Sequence, residues 1–313
     1  MKDLYNIVEG IFDIDSNKEF DDKYISGKSS ADVKWMAEHS HPKNNMDLRI
    51  TIRDYCEKYG WKSDLNWIDV TGVTDLSYVF SMDNKQFNGD ISKWNVSHVD
   101  DMTCMFYISE FNGDIKDWDV SRVEDMHGMF AFSLFNHDIK DWDVNRVTDM
   151  ASMFAGSKFN KDISKWDVSR VTSMYEMFKD SAFDKNIGDW DVSNVTDMSG
   201  MFYGSSFNKN ISKWNTKNVE DMTRMFNDSA FNKDISDWDV SSVQYMDYMF
   251  AHSDFNMDIS KWDVSNVVSM NYMFTETNFD KDLNKWTLNQ RNRKIDMFKH
   301  CPLEKNPPKW YKG

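Results

Sequence analysis

Tryptophan recurs at Trp94, Trp118, Trp142, Trp166, Trp190, Trp214, Trp238, Trp262, Trp286 and Trp310, an interval of 24 residues kept without one insertion. A Met-Phe pair keeps the same beat from Met105-Phe106 to Met297-Phe298. So does a Phe-Asn or Phe-Asp pair, from Phe111-Asn112 to Phe279-Asp280. Self-similarity at a fixed period between about 20 and 50 residues marks a solenoid or an array. Each repeat must then fill one coil of constant length, and the core grows by stacking coils, not by widening.

That periodicity overrides the length of 313 residues, which alone would suggest about two domains. Hydrophobic residues make up 40% of the chain, enough for a continuous core. The formal net charge of −15 argues against nucleic acid, whose phosphates need basic patches, and against anionic membrane surfaces. It suits a basic protein partner and permits divalent cations such as calcium. Cys56, Cys104 and Cys301 are odd in number, far apart and without a C-x-x-C, so no disulfide framework or zinc site follows. No apolar run approaches the length of a membrane span. The stretch MKDLYNIVEGIFDIDSN lacks a basic n-region with a long apolar h-region, and no lipobox-like cysteine is near. The expectation is a cytoplasmic or virion-associated protein, with the cell surface as the alternative.

Four segments follow. Residues 1–45 lack the repeat and read as a charged N-terminal arm or linker. Its apolar LYNIVEGIF patch reads either as a piece that docks on the first coil or as a short recruiting motif. Residues 46–63 read as a helical N-terminal cap. Leu48, Ile52, Tyr55, Cys56 and Tyr59 fall at helical spacing, and Gly60 is the stop signal. Residues 64–286 are the solenoid, whose first coil is irregular because Trp67 lies 27 residues before Trp94. Residues 287–313 read as a C-terminal cap, in which Pro302, Pro307 and Pro308 blunt the exposed edge.

Within one coil, Trp166 and Val168 stand two residues apart. The spacing predicts a strand over Ile163 to Val168 that sends both inward and Lys165 and Asp167 outward. Val171, Met174 and Met177-Phe178 predict a tight turn or 3-10 segment on the return side. The fold expected is a β-rich, leucine-rich-repeat-like solenoid with a parallel ladder about 4.8 Å per step. The Trp column fills the interior, and the adaptable Met side chains close gaps around it.

The phrase W-D-V-S-x-V-T-x-M-x-x-M-F-x-x-x-x-F-N-x-D-I-S-x-W resembles the BspA-type leucine-rich repeat family, in its mycoplasma-lipoprotein-like branch of 24-residue repeats. The resemblance spans about residues 64–310. It implies a leucine-rich-repeat-like solenoid with Ile163, Trp166 and Val168 at interior strand positions. It also implies a protein-binding or adhesive role, and members occur in bacteriophages and large viruses. The chain departs from the pattern at Thr216, which takes the place of the valine, and at Tyr245, which takes the place of the usual Asp. Surface members normally carry an export signal, and the lack of a visible one is a further departure.

Functional side chains are sought among the outward positions beside each Trp. Asp117, Asp119, Asp141, Asp143, Asp167, Asp189 and Asp191 are the candidate contact group; the coils of Asp117/Asp119 and Asp141/Asp143, which lack a Lys beside the Trp, form its densest patch, edged by Arg122, Arg146 and Arg170. They form either a solvated face that prevents aggregation or a contact surface for a basic protein. Calcium binding through paired carboxylates lacks a Gly-rich Asp loop to support it. His39-Ser-His41 is a weak metal signal without a third ligand. No nucleophile–base pair and no phosphate-binding Gly-rich loop stands out, so no catalytic residue and no cofactor is expected. The function expected is protein recognition without catalysis. A structural or virion-associated component held by its arm, or an adhesin, are the alternatives.

Overall fold

A computed structural model describes residues 20–312. The LYNIVEGIF segment and its expected docking or recruiting role lie outside the described residues.

The N-terminal cap is larger than residues 46–63. Residues 20–45, expected as arm or linker, carry α1 (Asp22–Ile25) and α2 (Ser30–His39). Helix α2 starts at a capping box. The Ser29 hydroxyl accepts the Asp32 N–H, and the Asp32 carboxylate accepts the Ser29 N–H. It buries Val33 and Met36, and Trp35 stacks on His39 with ring centroids 4.4 Å apart. Two buried side chains on ten charge-rich residues are too weak a periodic signal to stand out in the sequence. Helix α3 (Asn45–Tyr59) forms where the spacing predicts. Asn44 caps its first turn, and Gly60 ends it at φ 97, a left-handed value open to glycine. Leu48, Thr51, Ile52, Tyr55 and Cys56 are buried along one stripe.

The cap is fixed to the first coil by specific bonds. The Asn45 amide donates to the carbonyls of Asp75 and Ser77 at 3.2 and 2.8 Å. Lys23 pairs with Asp64 at 2.7 Å, and Lys58 pairs with Asp32. The Lys28 ammonium sits 4.6 Å from the Tyr59 ring centroid, a cation–π distance.

The coils stack as a solenoid, but the β-rich reading needs correction. Coil-to-coil pairing consists of isolated parallel bridges, running from Asp75 and Asp101 through Ser173 and Asp197 to Ser269 and Arg293. From Trp94 onward they lie seven residues after each Trp, not at it. Ile163 to Val168 is not a strand. The Trp166 N–H turns back to the Ile163 carbonyl at 3.2 Å, and the Val171 N–H to the Val168 carbonyl at 3.0 Å. Trp166 and Val168 still point inward, but from a corner between two turns. Alternation of apolar and polar residues over so short a run cannot separate these cases.

The return side holds the coils together. N–H groups of Met174, Glu176, Phe178 and Asp180 donate to Asp197, Ser199, Met201 and Tyr203 of the next coil at 2.9, 2.8, 3.0 and 2.7 Å. Between them, Met177, Lys179 and Ser181 donate back to Met174, Glu176 and Phe178 within the coil at 3.2, 3.1 and 3.3 Å. Every N–H from 176 to 181 is therefore satisfied, alternately across and within coils. Glu176 and Asp180 are third residues of such turns and lie at φ 50 and 51, as a type II turn requires.

Side chains complete the backbone accounting. The Trp166 indole donates to the Ile139 carbonyl of the preceding coil at 3.1 Å, and the same bond recurs from Trp94 to Trp310. The Asn160 N–H is accepted by the Asn136 side chain at 2.9 Å, and this ladder runs up to Asp280. Ser157 is buried and accepts the Phe159 N–H. The core is a set of aromatic columns. Phe154 and Phe178 lie 5.8 Å apart and 4° from parallel, and within a coil Phe178 and Phe183 lie 4.2 Å apart. Thr216 is fully buried in the valine column, and its hydroxyl donates to the Asp239 carbonyl at 2.8 Å. At the far end Trp310 stacks on Trp286 at 6.1 Å, and Tyr311 covers Phe298.

Candidate functional site: two exposed faces of the coil

The acidic face follows from the corner beside each Trp. Asp117, Asp119, Asp141, Asp143, Asp167, Asp189 and Asp191 are all exposed. Four of them also serve the backbone. Asp119, Asp143, Asp167 and Asp191 accept the N–H of Ser121, Asn145, Ser169 and Ser193 at 3.1, 3.2, 3.0 and 3.0 Å. These are Asx-turns, and they leave one carboxylate oxygen of each free of that bond. The Ser121 hydroxyl and N–H hold Asp119 below the usual carboxylate range, and Ser169 does the same for Asp167. Asp189 pairs with Lys213 at 2.9 Å, with both side chains mostly exposed, so the pair adds little. Asp117 and Asp141, on consecutive coils, stand beside exposed Arg122 and Arg146.

A second face is built by the paired turns of the return side. The motif M-x-x-M-F-x-x-S-x-F leaves five positions per coil without a fixed residue type, some exposed and others, such as Ala131, Ala155 and Cys104, buried. One column of left-handed residues reads Tyr78, Cys104, Gly128, Ser152, Glu176, Gly200, Arg224, Tyr248, Tyr272 and Asp296. The other reads Met82, Ile108, Phe132, Gly156, Asp180, Gly204, Asp228, His252, Glu276 and His300. Neighbouring positions hold Tyr107, Tyr175 and Tyr203. Side chains here meet across coils: Tyr248 and Tyr272 stack at 4.7 Å, and the Arg224 guanidinium lies 5.2 Å from the Tyr248 ring. His252 and His300 both reach Glu276, at 3.2 and 3.6 Å.

The sequence analysis did not single out this face. Its signal was present in the differences between repeats. The corner reads W-D-V-S or W-N-V-S in most coils, whereas the open turn positions change from coil to coil on one repeated backbone.

The histidines and cysteines named in the sequence stand apart. Among the described residues no cluster of three or more His, Cys, Asp or Glu is placed to hold a metal ion. His39 approaches the Trp35 carbonyl at 2.8 Å and His41 approaches Asp69 at 3.6 Å, so the two rings serve separate neighbours. The three cysteines are buried, and burial pushes the Cys56 thiol up to about 12 and raises Cys104 and Cys301. Thiols so raised stay protonated at neutral pH and are poor nucleophiles. No described helix is long and apolar enough to cross a membrane.

Coils of one length, joined by repeated side-chain and main-chain ladders, define a tandem-repeat solenoid. Residues 52–157, 131–230 and 205–310 match the family described as Mycoplasma protein of unknown function, DUF285. The matches cover well over half of the chain, and the protein belongs to this BspA-like repeat family. No curated protein and no solved structure is significantly similar to it.

Proposed function

We propose that this protein is a non-enzymatic binding solenoid that recognises a protein partner through its turn face. One observation carries the reading. Coils that share a backbone differ most at the variable turn positions, and where these reach the surface they display Tyr, Arg, Phe and charged residues. Tyr and Arg are the side chains that most often dominate binding energy at protein interfaces. A rigid stack of coils presents them in fixed register, so little ordering entropy opposes contact.

The acidic face supports a second reading, in which a basic partner docks along Asp117 and Asp141. Its exposed carboxylates on consecutive coils favour it. Such a contact weakens with salt, because exposed charges are screened beyond about 8 Å at physiological ionic strength.

The experiment is capture of a partner by the full chain, followed by comparison of two variants. Tyr248→Ala with Tyr272→Ala should lower affinity at least tenfold at every salt concentration. Asp117→Ala with Asp141→Ala should leave it within twofold. The reverse pattern, with a steep salt dependence, would move recognition to the acidic face.

A further inference from the structure

The turn face changes character along the rod. At its N-terminal end the second left-handed column holds Met82, Ile108 and Phe132, at φ 47, 54 and 56. All three are largely exposed, at 60, 46 and 52%. Leu134 is exposed beside them, and Tyr107 packs edge-on to Phe132 at 6.0 Å. The apolar run stops at Gly156, where the Phe132 ring fills the space of a side chain: a Cβ there would come within 2.3 Å of it. Beyond that point the column turns to Asp, Gly, His and Glu.

The patch continues onto the cap. The Asn84 amide donates to the Arg49 carbonyl at 3.1 Å, which fixes α3 beside the Met82 turn. Met46 and Ile50 of α3, one helical turn apart, are exposed. A contiguous apolar patch of this kind on a soluble chain marks a contact surface. Ile108 is β-branched and so unfavourable at left-handed φ, yet it stands here in the column whose turn the inter-coil bonds impose.

The chain itself carries a matching apolar segment. Leu4, Ile7, Val8, Ile11 and Phe12 recur at spacings of three and one, the apolar pattern of an amphipathic segment. Residues 13–19 tether it to Phe20, whose ring lies 6.4 Å from Trp67 of the first coil. Seven residues span up to about 23 Å. Packed layers are about 10 Å apart and coils about 4.8 Å. A tether of that length holds the segment near the cap and the first coils, where Met46, Ile50 and Met82 lie. Tethering also gives an effective concentration of order millimolar, which favours this occupant over a second copy.

We propose that residues 4–12 dock in cis on the apolar patch of Met46, Ile50, Met82, Ile108 and Phe132. The inference does not depend on the distal turn face being the partner site.

Hydrogen exchange read by mass spectrometry on the full chain tests it. Amides of residues 4–12 should exchange at least tenfold more slowly than an unstructured peptide. The protection should vanish in Ile108→Ser with Phe132→Ser, both at exposed positions. Ile7→Asp with Ile11→Asp, which leaves residues 20–312 unaltered, should remove it equally, so the result does not hang on one variant folding. Exchange at the unstructured rate in the parent chain would overturn the proposal. Protection unchanged by both double variants would do the same. Protection that grows with protein concentration would place a second copy on the patch and overturn docking in cis.

Discussion

The indole Nε1 of Trp190 donates to the main-chain carbonyl of Ile163, one coil earlier, at 3.1 Å. The same carbonyl accepts the Trp166 N–H at 3.2 Å, so it is shared between a turn and a neighbouring coil. This explains a large indole at the corner where a phenylalanine would supply similar apolar area. Trp190→Phe removes one buried hydrogen bond and should cost about 1–2 kcal/mol. Trp190→Ala also opens a cavity and should cost about 3–5 kcal/mol. Urea unfolding followed by circular dichroism checks both, and a Phe variant as stable as the parent would remove the indole bond from the account.

The left-handed columns can be tested at Gly204, which lies at φ 65 between Asp180 and Asp228 of the same column. A Cβ there would come within 2.0 Å of an Asp180 carboxylate oxygen, a flexible tip that can swing aside. The remaining cost is that of the backbone, about 1–2 kcal/mol for an ordinary L-residue. Gly204→Asn should be mildest, Gly204→Ala intermediate and Gly204→Val worst. Thermal melts of the three variants give the order, and equal melts would show that the turn relaxes.

The corner carboxylates should be replaceable by an amide but not by a methyl. Asn95 and Asn215 already hold the Asx-turn position that Asp167 holds, and Asn95 accepts the Ser97 N–H at 3.2 Å. Asp167→Asn should therefore be within about 0.5 kcal/mol of the parent, whereas Asp167→Ala should cost about 0.5–1.5 kcal/mol. Chemical denaturation of the pair distinguishes a capping role from a purely electrostatic one.

Acid should destabilise the rod. N–H and hydroxyl donors of the residue two positions on hold Asp162, Asp234 and Asp258 below the ordinary value of 3.8, and Asp167, Asp239 and Asp263 likewise. A carboxyl depressed in the folded state stabilises fully above its unfolded pKa, and that stability is lost as pH falls through the folded value. Asp221, raised by burial, has the opposite sign, but it stands against a repeated set. The melting temperature should be flat between about pH 7 and 5 and fall below about pH 4. A rise on acidification would mean that repulsion along the acidic rows outweighs their capping.

The stacking order was legible because it depends on the core. Trp, Met-Phe and Phe-Asn columns have nowhere else to go, and the α3 stripe from Leu48 to Cys56 is long enough to read. The location of the ladder was not legible. In W-D-V the alternation imitates a strand, while the residues that pair coils lie in a turn-rich stretch. Glycine usually announces positive φ, yet Glu176, Asp180, Tyr248 and His252 adopt it here because inter-coil N–H bonds hold the turn on both sides. The turn face was hidden for the same reason: its residues have no common type, and only their disagreement marks them.

The coils that lack the usual Asp offer the last test. In most coils the Asp of V-T-D-M accepts the N–H two residues later, as Asp221 does for Thr223 at 2.7 Å. Tyr245 cannot do this, and in the next two coils, where Ser269 and Arg293 hold that slot, the role passes across coils. Asp247 accepts the Asn271 N–H at 2.8 Å and the Ser269 hydroxyl at 2.7 Å, and Asn271 in turn accepts the Ile295 N–H at 2.8 Å. One carboxylate thus replaces a local cap with a link to the next coil. Asp247→Ala leaves two donors without that acceptor and should cost about 1–3 kcal/mol. Adding Tyr245→Asp restores a local cap one coil too early to serve Asn271, so the double variant should recover little. Full recovery would show that the missing Asp, and not the cross-coil link, is what the coil needs.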